Sequence, residues 1–489
     1  MNPEMITSPI DVKDAKLFIG GEFVDSVSQA TFDTINPATN KKLASVAMAN
    51  EADTIRAIEV AQRTFDSGVW SNMTVEKRAE ILCRMSDLIM LRLDEIAVLE
   101  TLDVGKPIKE SRGFDIPRAA SNMRFFAEMA LYHHAESYEK QGMMSYTKYA
   151  PAGVTSIIIP WNLPFMQMTW KVSAALAAGN TVVVKPASYT PLSAFILGEI
   201  ANDAGLPPGV LNIIAGPGST VGTVMASHPN VRRISFVGES GTGKTVMRNA
   251  SESLIPVSLE LGGKSANIIF EDADLDEALK GSLDAIYRNQ GQICLAGSRM
   301  LIHESVYEEF LGKLITAVNQ IKVGLPLHEE TDMGSLVSQS HLESVHSYVD
   351  IGLAEGAKLG CGGERVKGLG EGNFYKPTVL YDVDNQMRVA QEEIFGPVLV
   401  VIPFKTEEEA IRIANDSIYG LAGVVWTNDL RRAHRVAAQV NSGLFWINCW
   451  YFRDLRTPFG GSKASGIGRE GGRHSFDFYT EAKSITMKL

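Results

Sequence analysis

No apolar run in this chain reaches the ~20 residues that a membrane-spanning helix requires. The richest stretch, Val154 to Trp170, is interrupted by Pro160 and Pro164. A basic surplus is missing too: with a formal net charge of -11 and a pI near 5.4, the chain lacks the cationic face that nucleic acid demands. Cysteine is scarce. Cys83, Cys294, Cys361 and Cys449 are the four in 489 residues, their spacing builds no disulfide framework, and no metal site is assigned. A chain of this size has no need of disulfide staples, so these read as reduced thiols in a reducing compartment. Met1 to Lys13 carries neither a basic nor an apolar region, hence no signal peptide and an expected cytoplasmic location. Internal repeats and low-complexity linkers are absent as well.

What is present is an ordinary globular composition, 45% hydrophobic and 21% charged, in a chain too long for one core. Leu17 to Val24 reads as a hairpin through Gly20-Gly21. Glu76 to Asp103 carries apolar residues near a 3.6-residue period and reads as one helix, broken by Gly105-Lys106-Pro107. From Gly153 the texture changes to short β-branched runs between helical stretches: Val154–Ile159, Thr181–Val184, Val210–Ile214 and Ile234–Val237. A second series follows at Ala266–Phe270, Arg299–His303, Val398–Phe404, Leu421–Trp426 and Gly443–Asn448. Solid apolar strands of this kind belong to parallel sheets covered on both faces, so two α/β units meeting near Glu260 are predicted. Tyr138 to Tyr149 reads as an excursion hairpin. The final strand, Ser484–Leu489, is free to pair with it or with another subunit.

Three segments carry chemistry. Gly291-Gln292-Ile293-Cys294-Leu295-Ala296-Gly297 sets a cysteine among small residues, where a substrate can approach. Leu259-Glu260-Leu261-Gly262-Gly263-Lys264 sets a glutamate before a Gly-Gly turn, where it can swing. Pro160-Trp161-Asn162-Leu163-Pro164 holds an amide between prolines. Nucleophile, base and oxyanion donor are what covalent chemistry on a carbonyl requires. Taken singly, each residue has a plainer reading: a buried thiol, a solvated acid, a turn amide. Together they argue for chemistry.

A fourth segment points elsewhere. Gly238-Glu239-Ser240-Gly241-Thr242-Gly243-Lys244-Thr245 fits the P-loop pattern, and Ile268 to Asp272 offers a mock metal-binding strand. A P-loop nucleotide hydrolase is therefore the alternative of another class. A glycine turn at a helix N-terminus holds any phosphate, triphosphate or pyrophosphate. Against the P-loop reading, several strands precede this one, and it gives Asn162, Glu260 and Cys294 no task.

In order and spacing these motifs resemble the aldehyde dehydrogenase superfamily over nearly the whole chain. The resemblance implies an α/β aldehyde dehydrogenase fold: a Rossmann-like NAD(P)-binding domain (1–130 and 150–260), an α/β catalytic domain (261–470) and a small β oligomerisation flap (131–149 and 471–489) serving a homodimer or homotetramer. It implies Cys294 as nucleophile, Asn162 as oxyanion donor and Glu260 as the base that hydrolyses a thioester. Relatives that pass the acyl group to coenzyme A typically lack that acid. The cofactor is implied to meet Pro160, Trp161, Lys185, Ser188, Gly218, Gly238, Glu239, Gly243, Leu261, Glu393 and Phe395. Where the family often has a serine after the first glycine, this chain has Glu239, which is expected to turn away and leave backbone and Ser240 or Thr242 to bind. Ser188 stands where an acid commonly grips the ribose, so NADP stays open beside NAD. Relatives that have lost the cysteine serve as structural proteins; this chain keeps it.

Asp115 to Asn122 and Asn448 to Gly461 resemble the branch acting on 2-hydroxymuconate semialdehyde and its carboxymethyl analogue, which slightly favours NAD. There Arg118 and Arg453 are implied to hold the carboxylate of an anionic substrate, with Trp170 and Tyr451 as tunnel walls and Arg456 structural. Betaine aldehyde and succinate semialdehyde types remain alternatives. The arginines have a plainer reading as ties to Asp115 and Asp454.

Overall fold

A computed structural model describes residues 10–489, so most of the leader reading at Met1 to Lys13 lies outside the described residues. The β-branched runs line up in two sheets. The first has eight strands. At one edge Gly466–Ile467 runs antiparallel to Val257–Glu260; then come Val231–Val237, Val154–Ile158, Thr181–Lys185 and Leu211–Ile213, all parallel. The hairpin Leu17–Ile19 and Glu22–Val24 closes the other edge. Its turn needs left-handed backbone at Gly20 (φ 66°) and Gly21 (φ 85°).

The second sheet has seven strands in the order Lys358–Cys361, Thr378–Tyr381, Val398–Phe404, Arg299–His303, Ala266–Ile269, Ala422–Trp426 and Leu444–Ile447, with only the first antiparallel. The central strands of the two sheets, Val154–Ile158 and Thr181–Lys185 in the first and Ala266–Ile269 and Ala422–Trp426 in the second, are buried along their length, which is why they lack polar alternation. Gly466–Ile467 belongs to the first sheet although residues 261–470 were expected to stay with the second.

The helix predicted over Glu76 to Asp103 is two, Val75–Leu91 and Leu93–Val104, because Arg92 leaves helical geometry (φ -100°, ψ 19°). Gly105 ends the second in the left-handed conformation (φ 88°). Short strands at Thr31–Asn36, Lys41–Ala47, Lys358–Cys361 and Thr378–Tyr381 escaped the sequence reading, being half-exposed or too brief to show a pattern. The excursion is a hairpin, Ser137–Lys140 and Met143–Pro151, and Thr480–Lys488 pairs with the latter along its whole length. Among the described residues no helix is long and apolar enough to cross a membrane.

In the first sheet the chain order reverses between Val154–Ile158 and Val231–Val237, the position where open α/β sheets leave a crevice at the carboxyl ends of their strands. Pro160-Trp161-Asn162 follows one of these strands and Gly238 the other.

Candidate active site

The loop that carries Cys294 is strained and tightly held. Asn289 (φ 46°), Gln290 (φ 57°) and Gly291 (φ 72°) are left-handed in succession, a conformation that costs energy for the two non-glycine residues. Hydrogen bonds compensate. Asn289 Nδ2 donates to the Asn162 carbonyl (2.9 Å), Gln290 Nε2 to the Ser335 carbonyl (3.0 Å), and Gln292 Oε1 accepts from Val337 N (3.0 Å). Asn162 Nδ2 in turn donates to the Gln292 carbonyl at 2.8 Å, which leaves its second N–H uncommitted. The cysteine is thus presented by a pinned loop. Backbone N–H groups of Cys294 and Leu295 face its sulfur, and burial, then the charges of Glu260 and Glu393, push the thiol up to about 12.

Glu260 ends the strand Val257–Glu260 and is buried, with neither carboxylate oxygen hydrogen-bonded. Its nearest cation is Lys171 Nζ at 3.4 Å. Lys171 is shared with Glu470, to which it donates at 2.7 Å, and Glu470 also accepts from Trp170 Nε1 (2.7 Å), Ser235 and Ser258. Burial lifts both carboxyls. Lys171 first and Ser258 after it more than offset it at Glu470, whereas Glu260 stays well above the carboxylate range, burial first and the Glu470 charge second. Gly262 and Gly263 are not a swinging turn; neither has positive φ. A Cβ at Gly262 would strike the Glu393 carboxylate, and one at Gly263 the Cys294 carbonyl, so these glycines permit close approach.

A cleft of about 570 Å³ opens at the sheet crevice and reaches Cys294. Pro160, Trp161, Asn162, Gly238, Glu239, Leu261, Glu393 and Phe395 line it. Glu393 accepts from Gly263 N (2.9 Å), and burial raises it to about 7. Phe395 is left-handed (φ 57°) and stands edge-on to Trp161. Glu239 lines the cleft and does not turn away; Ser240 is the one spent elsewhere, donating to the Ala464 carbonyl at 3.0 Å. Gly243 does not line the cleft: it lies under Leu261, which a Cβ there would strike. Lys185, Ser188 and Gly218 also lie off the cleft lining. Lys185, at the end of its strand, is buried and lowered to about 8 by that burial; Ser188 reaches the Gly216 carbonyl at 3.4 Å.

A narrow tunnel of about 20 Å³ also reaches Cys294, lined by Arg118, Trp170, Tyr451 and Arg453. Arg453 lies between the rings of Trp170 (4.1 Å) and Phe459 (3.9 Å), with Nε and Nη2 buried and unpartnered. Neither arginine ties a loop to the acids proposed for it. Asp115 binds Lys106 (2.6 Å), and Asp454 is taken by Arg456 at the surface.

Residues 23–485 match the aldehyde dehydrogenase family. The chain belongs to that family. It is 44% identical to 2-hydroxymuconic semialdehyde dehydrogenase of Pseudomonas sp. (strain CF600), over 98% of this chain and 100% of that protein. It is 43% identical to 2-aminomuconic semialdehyde dehydrogenase of Homo sapiens, over 96% of this chain and 97% of that one. A solved indole-3-acetaldehyde dehydrogenase complexed with NAD+ superposes with a TM-score of 0.97 at 42% identity, over 98% of each chain.

This aldehyde dehydrogenase is therefore an oxidoreductase acting on aldehydes, and the P-loop reading falls. Its local reason is geometric. The helix begins at Ser240, and Gly243 N already donates to Glu239 O at 2.9 Å, so the P-loop residues are wound into the helix. The mock metal strand lies in the other sheet, and Asp272 is bound by Thr427 and Arg432. Among the described residues no cluster of three or more His, Cys, Asp or Glu side chains is placed to hold a metal.

Several site residues gave no sequence signal. Lys171 and Glu470 are 299 residues apart, and only the fold joins them. His341, in the cleft, donates through Nε2 to the Phe395 carbonyl at 2.8 Å, and burial lowers its pKa. Lys264 is buried with Nζ unpartnered and is lowered to about 7, chiefly by burial. The Asn289-Gln290-Gly291-Gln292 cluster of amides beside Cys294 was such a signal in principle, since buried amides must bond something.

Proposed function

We propose that this chain oxidises a carboxylate-bearing semialdehyde, of the 2-hydroxymuconate type, to the free acid with NAD or NADP. The Arg453 guanidinium carries the reading. It is fixed between two rings with unpartnered N–H groups in a tunnel that ends at Cys294, and a carboxylate is the group that fits such a fork. Arg118 adds a second cation, and relatives named for muconic semialdehydes align over nearly the full length.

In this reading Cys294 attacks the aldehyde carbon, and the free N–H of Asn162 with the Cys294 backbone N–H receives the resulting oxyanion. The thiol must lose its proton first; in this reading Glu260, which burial makes a stronger base than an ordinary carboxylate, takes it and later activates water on the thioester. The dinucleotide fits the crevice: Gly238 and Leu261 give it backbone and apolar wall, Glu393 a carboxylate for ribose hydroxyls, and Lys185 spare N–H groups near the strand end. Bound there, its nicotinamide supplies the hydride acceptor. Ser188 carries no charge against a 2′-phosphate, so NADP remains admissible.

The four unpaired thiols fit a reducing cytoplasm. We also propose that the outer three-stranded sheet joins protomers of a homodimer or homotetramer.

The test is steady-state kinetics with an acidic semialdehyde and a neutral aldehyde, each with both cofactors. Arg453→Leu is expected to raise KM for the acid ~10-fold or more beyond its effect on the neutral aldehyde. Equal losses on both would refute the carboxylate role, and full turnover by Cys294→Ala would refute the chemistry.

A further inference from the structure

The tunnel holds one more unsatisfied group. Asn122 is 1% exposed, yet its side-chain oxygen has no hydrogen-bond partner and the residue lines the tunnel beside Cys294. Its orientation is set by its other end. Nδ2 donates to the Met166 carbonyl (3.2 Å) and approaches Thr169 Oγ1 (3.4 Å), while Thr169 Oγ1 donates to that same carbonyl (3.0 Å). Flipping the amide would set two acceptor oxygens against each other, so Oδ1 is the atom left over. A buried acceptor without a donor is costly unless something supplies one.

Asn122 also follows Arg118 by four residues on the helix Ile116–Ala130, which places the two on neighbouring turns of one face. A cation and a bare acceptor side by side match an anion with a hydrogen-bond donor next to it.

We infer that Asn122 is a specificity-determining residue whose Oδ1 accepts a hydrogen bond from a hydroxyl or amino group on the substrate, adjacent to its carboxylate. The tunnel thus selects α-substituted semialdehyde acids over plain ones. This rests on the carboxylate role of Arg118 and Arg453 and names the group beside it.

The test compares kcat/KM for adipate semialdehyde, its 2-hydroxy derivative and hexanal, in the wild type and in Asn122→Leu. Wild-type enzyme is expected to prefer the hydroxy acid over the plain acid by ~10-fold or more, and the leucine variant to lose that ratio. The ratio cancels any general damage, and Asn122→Ala gives the same readout should the leucine variant not fold. Equal rates on the two acids in the wild type would overturn the inference while leaving the carboxylate reading intact. A ratio retained in the variants would do the same. No preference for either acid over hexanal would overturn both.

Discussion

Glu260 and Cys294 sit in a setting that disfavours the charged form of each: burial raises both, and each carboxylate nearby raises the thiol further. Both groups are therefore weaker acids than the free side chains. Glu470 tunes this. Its charge repels that of Glu260 and draws Lys171 to itself at 2.7 Å, leaving Lys171 3.4 Å from Glu260. In Glu470→Gln the repulsion vanishes and Lys171 keeps Glu260 as its remaining anion, so both changes lower the Glu260 pKa. If Glu260 must be ionised for hydrolysis, the ascending limb of the kcat–pH profile moves to lower pH. A limb that stays or moves up would remove Glu260 from that step. Glu260→Gln, which removes the base for both steps, should slow acylation as well as hydrolysis: no burst of reduced nicotinamide, and turnover down by ~10²-fold or more. Cys294, Glu260 and Asn162 were legible as candidates because carbonyl chemistry calls for such side chains in local motifs. Lys171 and Glu470 were not, because a lysine in an apolar helix and a glutamate in a glycine-rich loop acquire meaning only by contact.

Strands and helices show or hide themselves in the sequence for physical reasons of the same kind. Runs such as Val398–Phe404 were readable because burial of all but Pro403 removes polar residues. Val257–Glu260 was missed because four residues ending in a buried acid carry no period. Glycines misled most. Gly262-Gly263 looked like a hinge but serves contact, whereas at Gly291 left-handed backbone and close approach coincide, against Gly396 and Pro397. That contact ties the Cys294 loop to the turn bearing Glu393 and Phe395. Gly291→Ala therefore meets both strain and collision, costing roughly 2 kcal/mol or more and displacing Cys294 enough to lose turnover ~10-fold or more. Gly142→Ala is the control. Gly142 has φ 77° but open space around its Cβ position, so only the ~1 kcal/mol backbone penalty applies there. Thermal melts and titration of Cys294 with a thiol reagent separate the two; similar behaviour of both variants would sink the contact argument.

The outer sheet is the part of the molecule least explained by its own interior. Thr480–Lys488 makes nine backbone pairings with Met143–Pro151, yet only Thr480 of that strand is buried, and Tyr138, Met487 and Leu489 stand exposed. Three strands without an apolar face of their own are marginal in water, so a structure this regular points to a surface it covers elsewhere. Both outer strands, Ser137–Lys140 and Thr480–Lys488, also offer unpaired backbone on one side, which natural proteins usually cover or pair. A second copy supplies such a cover by symmetry. Removing residues 482–489 keeps Glu481, whose carboxylate binds Arg233 at 2.7 Å, and spares the Gly472–Tyr479 helix, whose Phe476 and Tyr479 belong to the main core. The truncated chain should therefore fold. In light scattering it should show a smaller assembly than the full chain at the same concentration. An unchanged mass would assign the subunit contacts to another face of the molecule.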